Sequence, residues 1–84
     1  MKKCMITFRS VTPAQRGESL LRRAGFECSV RRTPRWMEEQ GCGYSLQLQY
    51  HDAAAAAQLL RDGEVPFRKI YLQGEGGAVE ELSL

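Results

Sequence analysis

Residues 26–50, FECSVRRTPRWMEEQGCGYSLQLQY, decide the fold, because they hold two strands with no helix between them. In the second half, Tyr44, Leu46, Leu48 and Tyr50 alternate with Ser45, Gln47 and Gln49. A two-residue period of this kind marks a strand with one face buried. In the first half, Phe26, Cys28 and Val30 alternate with Glu27, Ser29 and Arg31. Adjacent strands of this kind make a hairpin.

Toward the N-terminus, residues 3–9 alternate again, with Cys4, Ile6 and Phe8 on one face and Lys3, Met5, Thr7 and Arg9 on the other. Thr12 followed by Pro13 reads as a helix start, a capping hydroxyl with proline at the first helical position. Pro13–Ala24 places Ala14, Gly17, Leu20, Leu21 and Ala24 near one face, and Gly25 stops the helix. A glycine inside a helix costs about 1 kcal/mol relative to alanine, so Gly17 predicts close packing against a sheet. Toward the C-terminus, Asp52 caps a second helix over Ala53–Arg61, with Ala56, Leu59 and Leu60 inward and Gly63 at its end. Pro66 leads into a strand over Phe67–Leu72, with Ile70 and Leu72 inward.

The order β-α-β-β-α-β predicts an α+β, ferredoxin-like fold: a four-stranded antiparallel sheet with two helices on one face. Thr7, Arg9, Ser29, Gln47, Gln49, Lys69 and Tyr71 would lie on the open face, which a second copy of the chain could cover to make a homodimer. Residues 1–73 then form a single domain, and residues 74–84 a Gly-rich, acidic tail hinged at Gly74, Gly76 and Gly77. The tail is expected to be flexible, the alternative being a short segment that folds onto a partner or a neighbouring subunit.

At 84 residues, a chain buries only about 60% of its unfolded surface, which leaves little for a deep enclosed site. A net charge of +2 is too weak to argue for nucleic acid, although Arg31, Arg32 and Arg35 gather closely. RNA-recognition sheets display stacking aromatics, and here the open face offers Tyr71 alone, so no nucleic-acid partner is expected. Three cysteines is an odd number for a small disulfide-built domain. No apolar run approaches the ~20 residues of a membrane span. The expectation is a cytoplasmic protein with reduced thiols and no membrane contact.

The connection between the two central strands, Arg32–Gly43, reads RTPRWMEEQGCG. A hairpin needs only about two to five residues there, and long ordered loops in compact domains are often functional. The loop holds the chain's one tryptophan, Trp36, which with Met37 either plugs one end of the core or forms an apolar patch. It also holds Cys42, flanked by Gly41 and Gly43. Glycines on both sides permit unusual backbone angles and clear the approach to the sulfur. Cys4 and Cys28 fall on inward phases, where free cysteine acts as a small hydrophobe. A cation beside Cys42 would lower its pKa and favour the nucleophilic thiolate. Arg31, Arg32 and Arg35 are candidates for that role, and Glu38 and Glu39 oppose it.

Zinc takes four donors at short spacing, and the chain has one histidine, His51, at a helix start. No metal site and no cofactor is expected. Acyl transfer would require His51 as the base for Cys42 and a third residue to orient it, and none is evident. Catalysis by the domain alone is therefore not expected.

The stretches MKKCMITFRS (1–10), TPAQRGESLLRRAGFECSVRRTPR (12–35) and GCG (41–43) resemble the small selenium/sulfur carrier protein-like family over residues 2–72. Thr33-Pro34-Arg35 followed by Cys42-Gly43 is the most specific part of the resemblance. It implies that Cys42 is a carrier thiol, with Thr33, Pro34 and Arg35 shaping or charging its surroundings. It also implies donor and acceptor proteins as partners. The chain departs from the family at residues 36–40, WMEEQ, where serines are usual.

Two functions follow. In the first, Cys42 accepts sulfane sulfur or selenium as a persulfide-type adduct and passes it on, without the protein being an enzyme. In the second, the domain is a non-catalytic, dimerising module that binds a small anion, metabolite or partner through Thr33, Arg35 and the backbone around Gly41–Gly43, and the sulfur of Cys42 is not used.

Overall fold

The computed structural model describes residues 3–32, 43–74 and 79–82. The elements run β1 (Lys3–Phe8), α1 (Val11–Arg23), β2 (Cys28–Arg32), β3 (Tyr44–Gln49), a 3₁₀ turn (Tyr50–Asp52), α2 (Ala53–Asp62), β4 (Ile70–Gln73) and β5 (Val79–Leu82). The strands form one sheet in the order β2-β3-β1-β4-β5, and every neighbouring pair is antiparallel. The α+β class with two helices and an antiparallel sheet is as expected.

The strand number is corrected from four to five. Val79–Leu82 lies in the segment expected to be a tail, yet it adds to the outer edge of β4 through Ile70↔Leu82 to Gln73↔Val79. Leu82 packs against the core, and Glu81 lies 3.5 Å from Lys69 Nζ. A four-residue edge strand is too short for a periodic pattern to stand out, and its pairing comes from the template beside it.

The core forms where the inward phases of β1, β3 and β4 meet both helices. Cys4, Ile6, Phe8, Leu46, Leu48 and Ile70 from the sheet pack with Ala14, Leu21, Ala53, Ala56, Ala57 and Leu60 from the helices. Each large apolar side chain fully buried here stabilises the fold by about 1.5–3 kcal/mol. Gly17 allows the helix to approach this layer. A Cβ there would meet Leu46 Cδ1 and Leu60 Cδ2 at 3.1 Å and Phe8 Cζ at 3.3 Å. The close packing expected at Gly17 is therefore present.

Both helix starts differ from expectation. Ser10, not Thr12, is the N-cap of α1, and Pro13 sits inside the first turn. The first four helical N–H groups have no intrahelical acceptor, so a proline at that depth forfeits no bond. Asp52 does precede α2, but its side chain makes no capping bond; Oδ1 lies 3.3 Å from His51 Nε2.

The C-termini share one hydrogen-bond pattern. After α1, Phe26 N–H donates to Leu21 O and Gly25 N–H to Arg22 O, with Gly25 at φ +93°. After α2, Val65 N–H donates to Leu60 O and Glu64 N–H to Arg61 O. These pairs are the 6→1 and 5→2 bonds of a Schellman motif. In α2 the left-handed position belongs to Glu64 at φ 56° rather than to Gly63. Gly63 has a different reason to lack a side chain, since a Cβ would come within 2.7 Å of Leu20 Cδ2.

The face turned away from the helices is less open than its sequence implies. Thr7, expected to be exposed, is only 7% exposed, and Met5 and Ser45 beside it are 2% and 1% exposed. Thr7 is held by backbone partners. Its Oγ1 donates to Lys69 O at 3.1 Å and accepts from Lys69 N–H at 3.0 Å.

Candidate functional site

The loop that carries the candidate thiol springs from the β2-β3 hairpin. The stem pairs Cys28↔Leu48, Ser29↔Gln47, Val30↔Leu46, Arg31↔Ser45 and Arg32↔Tyr44. Residues 33–43 thus begin and end on one rung of the ladder. β3 is tied in turn to central β1, where Tyr44 faces Phe8.

The other side of β2 is an edge, and helix α1 covers part of it. Val30 N–H donates to Glu18 Oε2 at 3.2 Å, and Arg22 donates to Cys28 O from Nε at 3.3 Å and Nη2 at 3.0 Å. Glu18 and Arg22 are themselves 3.4 Å apart, one turn along the helix. Their side chains satisfy main-chain groups that would otherwise offer pairing to another strand. This fixes the stem against α1.

At the loop end of the sheet the sequence places cations on several strands. Arg31 and Arg32 close β2, Arg9 directly follows β1, and Arg68 and Lys69 directly precede β4. Thr7 N–H donates to Lys69 O at 2.8 Å while Arg68 N–H donates to Thr7 O at 2.7 Å. Two residues therefore oppose one, which is the geometry of a β-bulge. The bulge explains why β4 begins at Ile70 and not at Phe67. It also sets Arg68 and Lys69 level with Thr7, on the row that Ser45 and Arg31 complete. Arg9, Arg31, Arg32 and Arg68 are exposed, and Lys69 is half-buried beside Glu81.

Cys4 and Cys28 are free, buried thiols. Cys4 is fully enclosed, and burial pushes its pKa from the ordinary 9.0 up to about 11. Cys28 is also raised, chiefly by burial and then by the Glu18 carboxylate, with Arg22 pulling the other way. Both are held as neutral thiols at neutral pH, the reverse of what a nucleophilic sulfur needs.

Of the predicted site residues, Gly43 stands immediately ahead of Tyr44 at the head of β3, half-buried. Cys42, Thr33, Arg35 and Gly41 lie outside the described residues, as do Pro34 and the stretch Trp36–Gln40. Sequence reasoning put Arg9 and Lys69 on the open sheet face, did not single out Arg68, and grouped none of the three with the loop. Only the register of β1 against its neighbours brings them to this end. Among the described residues, no three His, Cys, Asp or Glu side chains assemble where they could hold a metal ion. No helix among them is long and apolar enough to cross a membrane.

A helix-backed antiparallel sheet with an anchored hairpin stem, a positively charged end and buried core thiols of raised pKa defines a small α+β domain. The family model described as "Putative Se/S carrier protein-like" matches residues 3–72, and the chain belongs to that family. No curated protein and no solved structure matches it significantly.

Proposed function

We propose that this protein is a sulfur or selenium carrier whose working group is the Cys42 thiol, presented on the β2-β3 loop. The observation that carries this reading is the state of the thiols in a chain of this family. Cys4 and Cys28 are sealed in the core with raised pKa values, and Cys42 is the one cysteine left to carry an atom. Cys42 stands two residues along the chain from Tyr44, which pairs with Arg32 on the stem's last rung. Arg32 on that rung and Arg31 on the one before it would favour the thiolate if the sulfur lies near them. In this reading Gly41 and Gly43 clear the approach to the sulfur, and Thr33 and Arg35 shape and charge the loop. The scaffold is read as ferredoxin-like, with β5 added beside β4.

The chemistry is exchange at sulfur. The Cys42 thiolate attacks the terminal sulfur of a donor persulfide; the donor's S–S bond breaks as the new one forms, and the donor leaves as a thiolate. An acceptor thiolate then removes the same atom from Cys42 by the same step. Neither transfer changes the overall oxidation level, so the carrier needs no redox cofactor. The reaction is favoured by open access for in-line attack and by a thiol partly ionised at ambient pH. Generating the persulfide falls to the donor enzyme, which places this protein among accessory carriers and not enzymes.

Incubation with a cysteine desulfurase and cysteine is expected to add the mass of one sulfur atom to the intact protein. The same gain in Cys42→Ser would sink the reading, and Cys42→Ala that keeps full function in cells would favour a binding module in its place.

A further inference from the structure

The side chains at the basic end of the sheet stand outside the apolar core. Arg9, Arg31, Arg32 and Arg68 are exposed, and none of them belongs to the apolar core. What brings them together is topology: the end of β2, the exit of β1 and the bulge before β4 all fall at the same end of the sheet. Among the described residues of these segments there is no carboxylate, and Glu81 of β5 lies beside Lys69. The chain as a whole carries only +2, so the charge is concentrated here rather than spread.

Neighbouring strands lie about 4.8 Å apart, so β2 and β4, three steps apart, are separated by roughly 14 Å. That is comparable to the Debye length of about 10 Å at moderate salt, and shorter than it in dilute buffer. An approaching anionic surface therefore meets these side chains as one positive field and not as isolated charges. Such fields raise association rates and orient the encounter more than they add to final affinity.

We infer that the rim formed by Arg9, Arg31, Arg32, Arg68 and Lys69 is the docking surface for the carrier's protein partners, and that those partners present acidic side chains around their own exchanging cysteine. This rests on the carrier reading of Cys42. A protein partner is favoured over RNA because the sheet face next to this rim offers Tyr71 as its aromatic and Tyr71 is half-buried, leaving no platform for stacked bases. A hand-off between two proteins also has to bring two sulfur atoms together in line, and charge placed around the stem of the loop would set that approach.

The test uses the whole protein and synthetic cysteine peptides carrying a persulfide, flanked by glutamates, by lysines or by glycine and serine. Binding is followed by fluorescence anisotropy, and sulfur transfer by intact mass. The glutamate peptide is expected to bind at least ten-fold more tightly than the neutral one in dilute buffer, with the gap closing as salt rises. Arg9→Glu/Arg31→Glu should abolish that preference, whereas the equal charge change Arg16→Glu/Arg23→Glu on the exposed face of α1 should leave most of it. Equal binding of the three peptides, or equal loss in both double variants, would overturn the assignment. Tighter binding of a polyuridine strand than of the glutamate peptide would overturn it in favour of RNA. Binding and transfer separate the two claims. Selective binding with no mass gain at Cys42 would leave the surface standing and remove the carrier reading.

Discussion

Replacing Gly17 by alanine sets two effects of known size against each other. In a helix interior alanine is favoured over glycine by about 1 kcal/mol, which on its own would stabilise the protein. The added methyl group, however, would sit 3.1 Å from Leu46 Cδ1 and Leu60 Cδ2 and 3.3 Å from Phe8 Cζ. None of the three can swing into solvent, because Leu46 and Leu60 are 0% exposed and Phe8 is 1% exposed. Overpacking of a filled core costs about 1–3 kcal/mol. The crowding term exceeds the propensity term, and Gly17→Ala should lose on the order of 1 kcal/mol net. With a urea slope of about 1 kcal/mol/M for a small domain, the midpoint should fall by roughly 1 M. The thermal midpoint should fall by about 4–8 °C. Urea titration by far-ultraviolet circular dichroism reads both the midpoint and the slope. Leu60→Val, which withdraws a methyl group from the contact, should shrink the penalty when combined with Gly17→Ala. A midpoint that rises in Gly17→Ala at unchanged slope would refute the close-packing account of this glycine.

Other consequences are equally direct. Glu64 holds a left-handed backbone at φ 56°, so Glu64→Gly should stabilise the protein by about 0.5–1 kcal/mol in the same titration, and Gly63→Ala should destabilise it through Leu20. Raised thiol pKa values predict a loss of stability in alkali. Below 9.0 both states hold the Cys4 proton; above it the unfolded chain ionises first, and stability falls until the folded state ionises near 11. Cys28 acts in the same direction, and Cys4→Ala should flatten the decline, measured by urea midpoints across that range. Under native conditions iodoacetamide should label Cys42 and spare Cys4 and Cys28, which should label only after unfolding. If the loop arginines act on Cys42, the pH dependence of the native reaction should report a thiol that ionises below the ordinary cysteine value.

The sequence made the central hairpin and the first strand legible because both carry an uninterrupted two-residue alternation with one face apolar, from Tyr44 to Gln49 and from Lys3 to Phe8. The inward faces of the helices were legible from apolar residues three and four apart, with Ala14, Gly17 and Leu21, then Ala56 and Leu60, all buried, whereas Ala24, expected on the same face, is the exposed C-cap. Helix ends were less so. Proline is acceptable throughout the first turn, so Pro13 does not fix where the helix begins. A glycine near a C-terminus serves either backbone angle or clearance, so Gly63 points one residue away from the true left-handed position. β5 was hidden because VEEL becomes a strand only beside β4 and Lys69. At the candidate site, Cys4 and Cys28 could be placed inward from phase alone. The grouping of Arg9, Arg68 and Lys69 with the loop stem was not legible, because it depends on a bulge opposite Thr7 that no local pattern announces.

The central claim is that Cys42 receives an atom and gives it up again. Its most direct test follows isotopically labelled sulfur from a desulfurase persulfide onto the protein and then onto an acceptor thiol, with the labelled residue located by peptide mass spectrometry at each stage. The account predicts label on Cys42 alone after the first stage and its departure when the acceptor is added, with Cys42→Ser blocking both. Label on Cys4 or Cys28, or label that reaches the acceptor equally well through Cys42→Ser, would contradict it.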